Sequence, residues 1–256
     1  MTTSELSVKR YATDSAVDAA RVGWARWRAA RLATVVSATG NLALVETRWL
    51  DADVTTTLDD ALEGQPASVT ATALTRTNLS TGEPERGIRL WDSASPAIVN
   101  FDTVSVWDFD PSWVIEAEFT PVDADRTIPF EHIRDNGGSR NLVVPGDITF
   151  TRDGVGYTFS AFDDDGTLLL VFGDASNGVA DDSGSYEAGR FLFVHRSASA
   201  FGEAGTVILD FNQAFVPPCG FSIHYNCPLP PRNNRFLVPV EAGEKAVQFR
   251  GGHSIY

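Results

Sequence analysis

The first periodic stretch of the chain is helical. Residues 14–31, "DSAVDAARVGWARWRAAR", set Trp24 and Trp27 three apart on one face. Asp14 is the expected N-cap and Asp18 lies near the positive end of the helix dipole, with Arg26, Arg28 and Arg31 near its negative end. From Leu32 onward the pattern turns to strands. "LATVVSA" and "NLALVETRWL" flank Thr39-Gly40, a hairpin-like join. "ASVTATALTRT" alternates, turns at "NLSTGEPERG" and returns as "IRLWD". Strand-like runs recur at "VSVWDF", "SWVIEAEFTP", "RTIPFEHI", "RNLVVPG", "DITFTRD", "VGYTFSAF", "TLLLVFG", "RFLFVHR", "GTVILDF" and "RFLVPVEA". Turn chemistry separates several of them: "DNGG", "RDGV" and "DDDG".

Short strands with polar turns, and no alternation with helices, predict a mainly β protein. The expected architecture is an antiparallel β barrel or sandwich with one N-terminal helix packed outside. A helical segment over 1–35 then precedes a single antiparallel β domain over 36–256, within which 51–87 reads as loop-rich. The segment 174–189, "DASNGVADDSGSYEAG", is a long loop between two strong strands, and long loops inside compact domains are often functional.

Composition narrows the function classes. Acidic residues outnumber basic ones 34 to 20, for a formal net charge of −14, and the densest basic run is "RWRAAR". Nucleic acid and anionic membranes need the opposite balance, so neither is an expected partner. No apolar run reaches the ~18 residues of a membrane span. The first residues carry no apolar segment after their basic positions, so the expectation is a cytoplasmic protein. Two cysteines in such a chain are not a disulfide framework.

From Gly189 the sequence takes on a distinctive form. "GRFLFV" and "LDFNQAFVPPCGFSIHYNCPLPPRNNRFLVPVEAGEK" carry Gly-Arg-aromatic, Asp-Phe-Asn, Pro-Pro-Cys, Cys-Pro-Leu-Pro-Pro, an Asn and Ala-Gly-Glu-Lys. This resembles the C-terminal signature of a widespread bacterial family of unknown function. Weaker likeness runs upstream through "VFGDASNG" and "RGIRLWDSASPAIVNF". The resemblance implies no reaction. It nominates Arg190, Asp210, Asn212, Cys219, Cys227, Asn234, Glu244 and Lys245. His224 falls outside the pattern.

The nominated residues suggest chemistry of their own. On a strand, Ile208, Asp210 and Asn212 share one face. A covered Asp210 needs a partner, and Arg190 is the expected bidentate one, either as a clasp between strands or as part of a pocket. Lys245 either lies solvated or reaches the same site, where the two cations favour an anionic ligand. Cys219, His224 and Cys227 form C-x4-H-x2-C without the knuckle usual for zinc. A metal site, a cysteine nucleophile, a disulfide and two packed thiols all stay open. Pro217, Pro218, Pro228, Pro230 and Pro231 stiffen that segment, which is expected to cross one end of the barrel as a lid or plug.

The leading expectation is a protein that binds a small polar or anionic metabolite through Arg190, Asp210, Asn212, Cys219, Cys227 and Lys245. The rivals are a thiol- or metal-dependent enzyme and a structural or protein-interaction module. No residue pattern names a cofactor.

Overall fold

The computed structural model describes residues 13–51, 53–196 and 201–255. The first twelve residues, read above for a leader, lie outside them. Helix α1 (Asp14–Val35) is capped one residue earlier than expected: the Thr13 side chain accepts from the Ala16 N–H. It also outruns the expected end. Leu32–Val35, read as the start of a strand, remain helical. Tertiary packing overrides their β preference. Val35 is fully buried beside Leu42, Val104, Val216 and Phe221, and Arg31 one turn earlier is tied to the body. Thr39-Gly40 therefore lies in the turn between α1 and a 3-10 turn at Asn41–Ala43, and not in a hairpin. A Cβ on Gly40 would stand 2.2 Å from the Thr34 carbonyl oxygen, so only glycine lets the chain fold back there.

Strand β1 (Leu44–Trp49) follows, then the short helix α2 (Leu58–Leu62). Strands β2 (Val69–Thr77) and β3 (Pro84–Asp92) join β1 in a three-stranded antiparallel sheet of order β1-β3-β2. The stretch 51–87 thus holds a helix and a nine-residue strand. Helix α3 (Pro96–Asn100) leads into β4 (Phe101–Val106), which pairs with the last strand, β13 (Glu244–Phe249).

The principal sheet takes β5 (Val114–Pro121), β8 (Gly146–Arg152), β9 (Val155–Asp164), β10 (Thr167–Phe172), β11 (Arg190–Val194) and β12 (Gly205–Asp210). Its order is β11-β10-β9-β8-β5-β12, antiparallel throughout. A separate hairpin of β6 (Thr127–Glu131) and β7 (Ser139–Val143) sits beside it. The expected turns are present. Asp153-Gly154 joins β8 to β9 and Asp165-Gly166 joins β9 to β10, with both φ angles positive in each pair. Asn136-Gly137 does the same between β6 and β7.

The principal sheet curls into a half-barrel. Ile115, Ala117 and Phe119 of β5 face Ile148, Phe159, Leu168, Leu170, Leu192 and Leu209 across its inside. Strand β10, "TLLLVF", is buried on both faces, since Leu169 and Val171 pack outward against Phe191, Phe215 and the two cysteines. Helix α1 lies on the outside as expected, with Trp27 on that outer cluster and Trp24 edge-on to Phe109 at 6.1 Å.

"RFLVPV" does not form the expected strand. It is a plug. Arg235 makes a lone bridge to Gly173. Phe236 turns into the half-barrel, Leu237 and Val238 turn out to solvent, and Val240 turns in again. Asn234, fully buried, fixes its entry. Its side-chain carbonyl accepts from Ser160 N–H at 2.8 Å, and its amide donates to the Ser160 and Val171 carbonyls at 2.7 and 2.8 Å.

Candidate functional site

Arg190, Asp210 with Asn212, and Glu244 form three knots, and the proline-rich segment borders one cleft. Arg190 opens β11 and is fully buried. Its expected partner, Asp210, is not the one it has. Arg190 Nη2 bonds the Asp174 carboxylate at 2.8 Å, with both side chains fully buried. The register explains the pairing. Phe172 sits opposite Arg190 on β10, so Asp174, two residues on, overhangs the guanidinium. Arg190 also donates to the Val240, Ala242 and Glu244 carbonyls, tying the plug to β11. Burial pulls its pKa down and Asp174 opposes that. The other Asp174 oxygen accepts from the Ser176 and Val240 backbone N–H groups. The long loop after β10 therefore supplies the counter-charge. The signal in the sequence was the one acidic residue directly after the apolar run "TLLLVFG".

Asp210 builds a second knot. Strand β12 ends at it, and Phe211–Gln213 form a 3-10 turn, so Asn212 does not continue the strand face. Asp210 accepts from the Asn212 side chain at 2.9 Å and from the Gln213 side chain at 2.8 Å. Asn212, fully buried, also brackets Asp110, accepting from its N–H and donating to its carbonyl.

Glu244 makes the third knot. It is fully buried and holds Arg31 of α1 at 3.1 Å and the Val216 N–H at 2.8 Å. Lys245, its neighbour, meets Arg190 at one aromatic ring: Trp107 lies 5.2 Å from the Lys245 ammonium and 4.9 Å from the Arg190 guanidinium. The Lys245 ammonium also donates to the Asp182 carbonyl.

The proline-rich segment crosses outside this region. Both cysteines are free and buried. The Cys219 N–H donates to Cys227 Sγ at 3.2 Å, and the Tyr186 hydroxyl donates to Cys219 Sγ at 3.5 Å. Asn226 reaches Asp135, which holds Arg140 through two bonds of 2.7 and 3.1 Å. His224 is partly buried, and no group of three or more metal-ligating side chains occurs among the described residues.

Past Cys227 the chain lies along β6. Ile133 N–H donates to the Cys227 carbonyl, Leu229 N–H to the Glu131 carbonyl, and His132 bridges Pro228. Facing it, Gly189 (φ +88°) presses on Pro230. A Cβ there would meet Pro230 Cγ at 2.5 Å and the Phe172 carbonyl oxygen at 2.6 Å. The two segments border an open cleft of about 350 Å3 lined by Ile133, Glu187, Ala188, Leu229, Pro230 and Arg235. Arg235 is steadied by a 3.1 Å bond from Nη2 to the Pro230 carbonyl, and among the described residues it joins no ion pair.

His132, under this wall, gives a first prediction. It is 8% exposed and its Nδ1–H donates to the Phe130 carbonyl at 3.0 Å. Burial lowers its pKa below the ordinary 6.5, against that bond and Asp135. The unfolded chain then takes up protons first as pH falls, so the His132 contribution is present above pH 6.5 and is lost below it. His224, also lowered by burial, adds to the same slope. Urea midpoints measured from about pH 8 down to 5.5 should fall, and His132→Gln should flatten part of that fall. A midpoint equally pH-dependent in wild type and variant would remove His132 from the account.

No curated protein matches the chain. Among solved structures, it is 29% identical to an uncharacterised protein of Haloarcula marismortui solved by solution NMR, covering 57% of this chain and 77% of that one, with a TM-score of 0.46. A family model described as "Protein of unknown function (DUF1684)" matches residues 99–245, from α3 to Lys245, and so takes in all three knots from the body side and every lining residue of the cleft. The chain belongs to the DUF1684 family.

Proposed function

We propose that the protein binds a small organic anion in the cleft between Glu187–Ala188 and Leu229–Pro230. One observation carries this reading: the signature segment builds a concave, mostly apolar site with a single guanidinium at its edge. Apolar walls with a few polar groups are what small-molecule sites need, and the volume lies at the lower end of their range of roughly 300–1,000 Å3. Arg235 is the donor for a carboxylate, to which a planar fork can bind through two bonds. Glu187 accepts from an ammonium or hydroxyl at the other end. A net charge of −14 opposes polyanions at long range, so the fitting class is a short zwitterion or hydroxy acid with one carboxylate.

In this reading Arg190, Asp210, Asn212, Cys219, Cys227 and Lys245 act on the ligand by fixing the segments that wall the cleft. None of them lines the cleft, and the burial of all but Lys245 supports that role over direct contact. The two free thiols suit the reducing cytoplasm expected from the sequence.

Binding of β-alanine, glycine, lactate, acetate and inorganic phosphate, followed by NMR titration, tests the reading. A charge-assisted bond contributes about 1.5–3 kcal/mol, so Arg235→Ala should weaken carboxylate binding roughly tenfold or more. Its effect on the urea midpoint should stay within about 0.5 kcal/mol, because Arg235 is exposed. No response from any of the five compounds, or equal binding by Arg235→Ala, would end the proposal.

A further inference from the structure

The two thiols behind the cleft do not line it, yet they are arranged for chemistry. Cys219 sits on the 3-10 turn Pro218–Gly220 and is 1% exposed, and Cys227 is 5% exposed. The Cys219 backbone N–H donates to Cys227 Sγ at 3.2 Å, and the Cys219 sulfur accepts from the Tyr186 hydroxyl. The backbone holds the pair in place. A Cβ on Gly220 would stand 2.4 Å from Val216 Cγ1 and 3.3 Å from the Tyr186 ring, so the turn packs directly against that tyrosine. Pro217, Pro218 and Pro228 limit how far either cysteine can turn away.

The same contacts run to the cleft. Tyr186 immediately precedes Glu187 and Ala188, and its carbonyl accepts from Gly189 N–H. Cys227 immediately precedes Pro228, Leu229 and Pro230. Both walls are thus attached to the thiol pair within a few residues.

We propose that Cys219 and Cys227 are a peroxide-oxidised dithiol whose disulfide regulates the cleft, the regulatory half resting on the ligand-binding reading above. The Cys219 thiolate attacks one peroxide oxygen. The O–O bond breaks, and the departing hydroxide takes a proton to leave as water, giving a sulfenic acid on Cys219. Cys227 then loses its proton and attacks the Cys219 sulfur. The S–S bond forms, and hydroxide leaves with the Cys227 proton as a second water. The two thiols give up two electrons, the peroxide accepts them, and an external dithiol reverses the change.

The environment assigns the roles. The hydrogen bond from Cys227 lowers the Cys219 pKa, burial opposing it, while burial raises Cys227 well above the ordinary thiol. Cys219 is the attacking sulfur and Cys227 the resolving one. Closing the disulfide changes the sulfur that accepts from the Tyr186 hydroxyl, one residue from the Glu187–Ala188 wall.

Reduced full-length protein treated with hydrogen peroxide tests the first half by intact mass. The expected product has lost two hydrogens and kept no oxygen. Cys227→Ser should stop at a sulfenic acid on Cys219 that dimedone traps, and Cys219→Ser should react roughly tenfold or more slowly. The reduced variants' melting curves check that they remain folded. Thiols that stay unreacted in the native protein but oxidise in urea would overturn the proposal, and dimedone on Cys227 in place of Cys219 would overturn the assignment of roles. Hydrogen exchange at residues 186–189 reads the second half without any ligand. It should speed up on oxidation, and unchanged exchange overturns the coupling. Binding of β-alanine separates the two readings: binding to neither form removes the ligand and leaves the dithiol, whereas equal binding to both removes the regulation.

Discussion

Arg190→Ala is expected to cost roughly 3–5 kcal/mol, the effect of stranding one charge of a buried pair. The substitution leaves the Asp174 carboxylate fully buried without its guanidinium and strips three carbonyls of a donor. Arg190→Lys should also be strongly destabilising, because one ammonium cannot bond Asp174 and the Val240, Ala242 and Glu244 carbonyls in the geometry of a planar fork. Pairing Arg190→Met with Asp174→Leu should recover part of the loss by removing both charges. Pairing Arg190→Met with Asp210→Leu should recover none, because Asp210 bonds Asn212 and Gln213 and not the arginine. Urea unfolding midpoints of the four proteins settle the pairing. Equal rescue by Asp174→Leu and Asp210→Leu would refute it.

Phe236→Ala should rank close behind, at roughly 3–5 kcal/mol for a large aromatic removed from a filled core. The ring is 3% exposed and meets six others, from Tyr157 at 4.9 Å to Phe172 at 6.1 Å, with Trp113, Phe150, Phe159 and Phe211 between. Nothing else in the plug can fill the space, since Leu237 on the next position is 83% exposed. Phe236→Leu keeps most of the volume and should cost clearly less. Acrylamide quenching supplies a local reading, because loss of the ring opens a path to Trp113, now 4% exposed. A shift under about 1 kcal/mol would mean that Phe236 is peripheral to the core.

These two residues show where the sequence was legible and where it was not. The strands and their Asp-Gly and Asn-Gly turns were readable because the information is local: alternation sets the face and a pair of positive φ angles sets the turn. The signature residues were readable as polar groups needing partners, and all but Lys245 are in fact buried or nearly so. Their partners were not readable. Asp174 reaches Arg190 only through the β10–β11 register and an intervening loop of some fifteen residues. "RFLVPV" has strand composition yet makes an isolated bridge through Arg235, because its phenylalanine is captured by the open half-barrel. Leu32–Val35 have strand composition too, and burial against Val216 and Phe221 keeps them helical. In each case a contact distant in sequence outweighed a local preference.

The ion pair between Arg31 and Glu244 spans 213 residues, and this separation has a consequence for synthesis. At ~5–20 residues per second, the arginine leaves the ribosome on the order of ten to forty seconds before its carboxylate exists. Throughout that interval β4 also lacks β13, and the groove that Glu244 fills beside Val216 stands open. The nascent chain therefore cannot close its body as it emerges. It must wait for Glu244, and chaperones that shield apolar surface have a long window in which to act.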